Sequence, residues 1–238
     1  MSDRYVLEVF PLGPLQCNCT ILINESQKKA VVVDPGMGAS QIIARLSASP
    51  ELEITRIWLT HAHLDHIAGV QEVKMWASAQ RGADVPVHLH AADEPLYRNA
   101  KAQCEMWGVP PFEVPETYIK IKTADTYPEL PGARVLYTPG HSPGSCSLYL
   151  DAPFRLDGNT SLFRGVESEG QGFLIAGDVL FRGSVGRTDL WQGSMEQLEN
   201  SIKKQVYTLP DETLVVVGHG PLTTVGREAD HNQVVTRD

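Results

Sequence analysis

Residues Thr60-His61-Ala62-His63-Leu64-Asp65-His66 place three imidazoles and a carboxylate within six consecutive positions. Imidazole is the commonest metal-ligating side chain, and carboxylate is the usual oxygen partner for zinc. The spacing carries geometry as well. On a helix His61 and His63 would face different ways, because helical neighbours lie three or four residues apart. A helical two-histidine zinc site uses i, i+4 spacing instead. On an extended loop, residues two apart point the same way, so His61 and His63 can share one metal. Asp65 and His66 are then free to hold another. The spacing predicts a loop that serves two neighbouring metal sites.

Three further residues extend the set. His141 lies in Thr138-Pro139-Gly140-His141-Ser142-Pro143-Gly144-Ser145, Asp178 follows Ala176-Gly177, and His219 lies in Val217-Gly218-His219-Gly220-Pro221. Each is the first metal-binding type after an apolar strand-like run, beside glycines that permit close backbone approach. Singly, each also reads as turn chemistry. Together with residues 61–66 they make seven ligands, enough for two metals. His88 and His90 share the i, i+2 spacing but lack a following acidic or histidine partner, so they read as structural. Asp34, in Val33-Asp34-Pro35-Gly36, reads either as an acceptor for a ligand imidazole N–H or as a loop-capping residue. Cys17, Cys19, Cys104 and Cys146 form no C-x-x-C pair and read as buried reduced thiols, although Cys17 and Cys19 could in principle bind metal.

The elements around these residues must bring them together. A strand-like run, Glu53 to Leu59, precedes the histidine motif, and Val70, Val73 and Ala77 follow it at helical spacing, predicting a helix over 67–79. The motif is therefore a strand-to-helix crossover, where α/β folds bind ligands. Strands are expected at 5–10, 19–23 and 30–34 as a meander, followed by a short helix at 40–46. A strand at 85–90 and a helix over 91–108 come next, and then the Pro-rich loop 109–115, read as a lid or a surface crossover. The second half is expected to open as another meander, at 118–122, 134–138 and 145–150. Residues 151–172 read as an exposed hairpin or excursion, 173–176 as a strand and 194–206 as a helix capped by Ser194, with Gln197 three residues on. A last buried strand covers 213–217. Two similar halves suit two packed sheets with helices outside, and no linker divides the chain, so residues 1–238 are expected to form one domain.

Composition narrows the partners. The chain has 238 residues, 42% of them hydrophobic, and a net charge of −9. That balance disfavours nucleic acid or an anionic membrane surface. No apolar run reaches about 18 residues, so no membrane span is expected. The opening Met1-Ser2-Asp3-Arg4-Tyr5 lacks the features of a signal peptide, which points to a cytoplasmic protein with reduced thiols. The sequence carries no signal for oligomeric state.

The ordered set T-H-x-H-x-D-H, T-P-G-H-S-P-G-S, A-G-D and G-H-G resembles the metallo-β-lactamase superfamily over residues 5 to about 225. The run Gly177-Asp178-Val179-Leu180-Phe181-Arg182-Gly183-Ser184-Val185-Gly186-Arg187-Thr188-Asp189 is similar to the short bacterial glyoxalase II-like thioester hydrolases. The resemblance implies an αββα four-layer sandwich of two mixed sheets with helices on the outer faces. It implies one metal on His61, His63 and His141, a second on Asp65, His66 and His219, and Asp178 bridging them. The ions are expected to be zinc, with iron or manganese as alternatives. A hydroxide between ions about 3.5–4 Å apart would attack the thioester carbonyl of an S-acylglutathione such as S-lactoylglutathione. Asp65 would help orient that hydroxide or pass its proton. Arg187 is expected to hold a substrate carboxylate bidentately, or alternatively to brace its loop through Asp189.

Full-length glyoxalase II enzymes carry a C-terminal helical extension that helps hold glutathione, and this chain stops soon after His219, so that extension is expected to be missing. The runner-up is a persulfide dioxygenase with one iron on His61, His141 and Asp178. A lactonase or β-lactamase shares the same motifs, and a non-catalytic metal-binding protein is the reading from a different class.

Overall fold

The computed structural model describes residues 3–237, so Met1, Ser2 and Asp238 of the expected single domain lie outside the described residues. Strands β1 (Tyr5–Leu12), β2 (Cys17–Asn24) and β3 (Lys29–Val33) form the first meander. Helix α1 (Ser40–Ser47) leads to β4 (Glu53–Trp58), the short helix α2 (Leu64–Ile67) and α3 (Val70–Arg81). Then come β5 (Val87–His90), α4 (Glu94–Arg98), α5 (Ala100–Trp107) and β6 (Ile119–Ile121). The second half contains β7 (Arg134–Tyr137), β8 (Cys146–Gly158), β9 (Glu169–Gly177), and the small hairpin β10 (Leu180–Phe181) and β11 (Ser184–Val185). It closes with α6 (Met195–Ser201), β12 (Leu214–Val217), β13 (Thr223–Thr224) and α7 (Val225–His231).

The period-two alternation of the strands sorts their side chains into layers. Tyr5, Leu7, Leu22, Val31, Val33 and Trp58 face Val135, Leu148, Phe173, Ile175, Leu214 and Val216, forming a core between the two halves. The intervening residues Val6, Ile21, Ile23, Ala30, Val32 and Ile57 face the other way, against Ile42 and Leu46 of α1 and Val70, Val73 and Ala77 of α3. In the second half Leu174, Ala176, Val215 and Val217 meet Leu198, Ile202 and Val206, and Val225 and Ala229 of α7. Three apolar interfaces separate four layers, helix–sheet–sheet–helix. Each fully buried Val, Leu or Ile contributes about 1.5–3 kcal/mol relative to an exposed one.

The hydrogen-bonded path runs β13-β12-β9-β8-β1-β2-β3-β4-β5-β6, with β7 against β8. The two sheets are therefore joined at one edge, where Tyr5–Val9 pairs in parallel with Phe154–Gly158. Of the two readings of 151–172, the hairpin is the one formed, with the end of β8 antiparallel to the start of β9. What the sequence did not show is that the same end of β8 also welds the halves together. A correction concerns 118–122. The strand there pairs in parallel with β5 and closes the first half rather than opening the second. Alternation alone specifies a strand's faces, not its neighbour. The helix expected over 91–108 is interrupted at Asn99, and the one expected over 67–79 starts at Val70. In the loop 109–115, Phe112 and Val114 pack against the first core, which fits a surface crossover and not a lid. All four cysteines are buried and free. Among the described residues no helix is long and apolar enough to cross a membrane.

Candidate metal centre

All seven residues singled out by type and spacing meet at the carboxyl ends of the central strands. The chain is still extended at His63 (φ −71°, ψ 151°) and turns helical from Leu64, which separates His61 and His63 from Asp65 and His66. His63 Nδ1 lies 2.8 Å from His141 Nε2, and His141 Nε2 lies 3.2 Å from His61 Nε2. In the neighbouring group, Asp65 Oδ2 lies 3.1 Å from His219 Nε2 and 3.7 Å from His66 Nε2. Asp178 stands between the groups. Its Oδ1 is 3.3 Å from His66 Nε2, and its Oδ2 is 3.5 Å from both His141 Nε2 and His219 Nε2. His61, His63, His66, His141 and Asp178 are buried, whereas Asp65 and His219 are half-buried.

This donor set fits metal ions. His66 Nε2 and Asp178 Oδ1 are buried and face each other without a hydrogen-bond partner. Orphaned polar atoms are costly in a protein interior, and a cation coordinated between them removes that cost. Burial and the surrounding imidazoles drive His61 well below its ordinary pKa and His63 to about 3, so both present neutral lone pairs. Burial alone would raise the Asp178 carboxyl, but His66, His141 and His219 outweigh it and keep it ionised. The groups His61/His63/His141 and Asp65/His66/His219 each gather three ligand atoms that could hold an ion.

The outer nitrogens of His61, His66, His141 and His219 are held as well, which fixes how those rings point. His141 Nδ1 donates to the Arg187 carbonyl at 2.7 Å, and His219 Nδ1 to the Leu15 carbonyl at 2.9 Å. His66 Nδ1 donates to Asp34 Oδ2 at 2.9 Å. The Thr60 hydroxyl donates to the same oxygen at 2.6 Å and accepts from His61 Nδ1 at 3.0 Å. The Thr60 amide donates to Asp34 Oδ1 at 2.8 Å. Asp34 thus orients one histidine of each group, which is the imidazole-acceptor reading of this residue. A third cluster, Asp34/His61/His66, also lies close enough to hold an ion. Its carboxylate is already taken by these three donors, so it belongs to the supporting shell.

Several glycines at the centre are required by close approach, Gly218 and Gly36 among them. A Cβ on Gly218 would lie 1.9 Å from Asp178 Oδ1, and one on Gly36 would lie 2.1 Å from the Asp65 carbonyl. Any side chain at either position would push a carboxylate-bearing segment out of the centre.

Other positioning residues were not legible in the sequence. Asp93, fully buried, accepts from the Ala62 amide (2.9 Å), the Ser142 hydroxyl (2.7 Å) and the Gly144 amide (2.6 Å), tying the loop of His61 and His63 to that of His141. In Ala91-Ala92-Asp93-Glu94-Pro95 it looks like an ordinary helix cap. Gln103 donates to the Ala62 and Leu96 carbonyls and accepts from the Leu64 amide. Asn18 donates to the Val217 and Gly220 carbonyls and so holds the His219 loop. His88 lies away from the centre and contacts Arg56, and His90 stacks on Tyr137.

A cavity of about 450 Å³ opens over the centre. Its floor is His63, Asp65, His141, Asp178 and His219, and Leu15, Leu64, Trp107, Phe181, Val185 and Leu190 form much of its wall. Arg187 is at its rim. The Arg187 Nε and Nη2 both bond the Asp189 carboxylate at 2.7 Å, and the guanidinium sits 5.8 Å from the Trp107 ring centroid.

The model of the metallo-β-lactamase superfamily matches residues 12–156 and 153–219. The probable metallo-hydrolase YqgX of Bacillus subtilis is 37% identical over 232 residues, covering 93% of each chain. The hydroxyacylglutathione hydrolase GloC of Haemophilus influenzae is 28% identical over 238 residues, covering 95% of this chain and 96% of its own. The crystal structure of the BLEG-1 B3 metallo-β-lactamase superposes with a TM-score of 0.76 at 35% identity, over 95% of this chain and 97% of that one. That of TTHA1623 in a di-iron-bound form gives 0.73 at 35% identity, over 93% and 96%. The four layers, the clustered His and Asp residues and these matches together show that the chain belongs to the metallo-β-lactamase superfamily.

Proposed function

We propose that the chain is a two-metal hydrolase that cleaves a thioester, an S-acylglutathione such as S-lactoylglutathione. His61, His63 and His141 would hold one ion and Asp65, His66 and His219 the other, zinc being expected and iron or manganese the alternatives. The observation that carries this reading is the place of Asp178, one carboxylate whose two oxygens face both three-residue groups. Bound there, divalent ions would supply an acidified water and polarise the carbonyl.

The chain's own residues supply the rest. Asp65 is at the open side of the floor. Burial would raise its carboxyl, but His66 and His219 hold it below its ordinary value, so it is ionised and able to take up a proton. A thiol has a pKa of about 8.5, so a thiolate leaves without being protonated and the leaving-group side needs no acid. The kinship with GloC supports the thioester, and that with YqgX supports a metallo-hydrolase more broadly. A dioxygenase with one iron would use only His61, His141 and Asp178. The complete second group of Asp65, His66 and His219 favours the hydrolase over it.

The test is hydrolysis of S-lactoylglutathione by the metal-loaded protein, its loss on chelation and its return with zinc, iron or manganese. Oxygen consumption on glutathione persulfide without thioester cleavage would instead support the dioxygenase.

Arg187 is proposed as a substrate contact of small energetic weight. To hold a substrate carboxylate it must exchange one exposed carboxylate partner, Asp189, for another. Exposed pairs are worth about 0–1 kcal/mol, so Arg187→Ala is expected to raise KM for a glutathione thioester no more than about fivefold. Steady-state kinetics on the variant checks this, and a tenfold or larger rise at unchanged kcat would make Arg187 a principal anchor.

A further inference from the structure

The cavity over the centre has a chemical character that the metal groups do not set. Its volume, about 450 Å³, suits a small ligand. Two of its walls are fastened to the centre itself. The Leu15 carbonyl holds His219 Nδ1, and the Phe181 ring packs edge-on against His219 at 6.1 Å. Trp107, Val185 and Leu190 continue the wall outward. Leu15 and Trp107 are 45% and 43% exposed, and they line the same cavity as Leu64, Phe181, Val185 and Leu190, a contiguous apolar surface of the kind that marks a ligand groove.

Two of the polar side chains beside them are already committed. Both amide hydrogens of Gln103 go to the Ala62 and Leu96 carbonyls, and its oxygen accepts from the Leu64 amide. Arg187 spends two of its nitrogens on Asp189. Ser184, on β11, is exposed to solvent. A hydroxyl on a substrate group packed into these walls loses its water and gains little in return, whereas methylenes gain from burial.

We infer that this site selects thioesters whose acyl group is apolar, of medium chain length or aromatic, in preference to the short hydroxylated lactoyl group. The inference rests on the thioester-hydrolase reading above and narrows it. Of the two flanks of an S-acylglutathione, only the acyl group can be uncharged throughout. It therefore takes the apolar walls, and the glutathione flank, with its carboxylates, leaves past Arg187 at the rim.

The experiment is a series of S-acylglutathiones from propionyl to hexanoyl, with S-lactoylglutathione beside them, on the metal-loaded protein. Carbonyl reactivity is nearly constant along the straight-chain series, so differences report the walls. Expected is a rise in kcat/KM of about fourfold per methylene until the walls are covered, equivalent to about 0.8 kcal/mol each. S-hexanoylglutathione is expected to exceed S-lactoylglutathione. Trp107→Ala and Leu15→Ala, both at exposed positions, should each flatten the series. A flat series in the natural protein, or S-lactoylglutathione above S-hexanoylglutathione, overturns the inference and leaves the hydrolase reading standing. Hydrolysis of no thioester refutes that reading instead. Calorimetric binding of S-hexyl- against S-propylglutathione then still judges the cavity, since tighter binding of the hexyl compound supports it and equal binding overturns it.

Discussion

Asp178→Ala is expected to reduce hydrolysis by about a thousandfold, the upper range for removing one direct electrostatic contact to a reaction, and to leave at most one metal per chain. Among the described residues its side chain is the only carboxylate within 3.5 Å of histidines from both groups. The metal-free variant should melt below the metal-free parent at neutral pH, because His66, His141 and His219 hold the Asp178 carboxyl below its ordinary pKa, and a group depressed in that way adds stability above its unfolded pKa. Elemental analysis, turnover and the melting temperature of the chelated protein check the three parts of this expectation. Two retained metals with activity within tenfold of the parent would remove Asp178 from the bridge.

Asp34→Asn should behave differently, because Asp34 works through other residues. Its backbone is left-handed (φ 50°), a conformation that asparagine tolerates. The substitution therefore isolates the loss of charge and of one acceptor oxygen. Three donors converge on the carboxylate, from the Thr60 amide, the Thr60 hydroxyl and His66 Nδ1, all buried. An amide NH2 in place of one oxygen faces at least one of them donor to donor. The metal-free protein should lose about 1–3 kcal/mol of stability, the usual cost of a buried unsatisfied donor. Metal affinity should fall about 10–100-fold, as for other outer partners of ligating histidines. Urea denaturation of the chelated protein and a competitive zinc titration give the two numbers. A loss of stability with unchanged affinity would make Asp34 a structural residue alone.

The contrast between these residues explains what could be read from the sequence. His61, His63, Asp65 and His66 stood out by their density and spacing, and His141, Asp178 and His219 because metal-binding types recur beside glycines where apolar runs end, glycines that are there for close approach. Gly218 is an example, with no room for a Cβ against Asp178. Asp34 was visible as one of two readings because it ends a buried strand. Asp93 and Gln103 gave no signal. Their partners at Ala62, Ser142, Gly144 and Leu64 are distant in sequence, and each sits in a segment that looks like plain helix. In the fold, the layers followed from alternation, since Tyr5 and Leu7 face one core and Val6 the other. Strand partners did not follow. Ile119–Ile121 joined β5, and the Gly- and charge-rich end of β8 joined β1, through backbone hydrogen bonds that leave no mark on residue type.

Two complete three-residue groups stand on either side of one carboxylate, so the number of metals bound per chain is the decisive readout. The protein saturated with zinc and freed of excess should hold two equivalents, and His219→Ala, which removes a ligand from the Asp65/His66/His219 group only, should hold close to one, with hydrolysis reduced by orders of magnitude. One equivalent in the natural protein, unchanged in His219→Ala, would mean that the Asp65/His66/His219 group holds no ion.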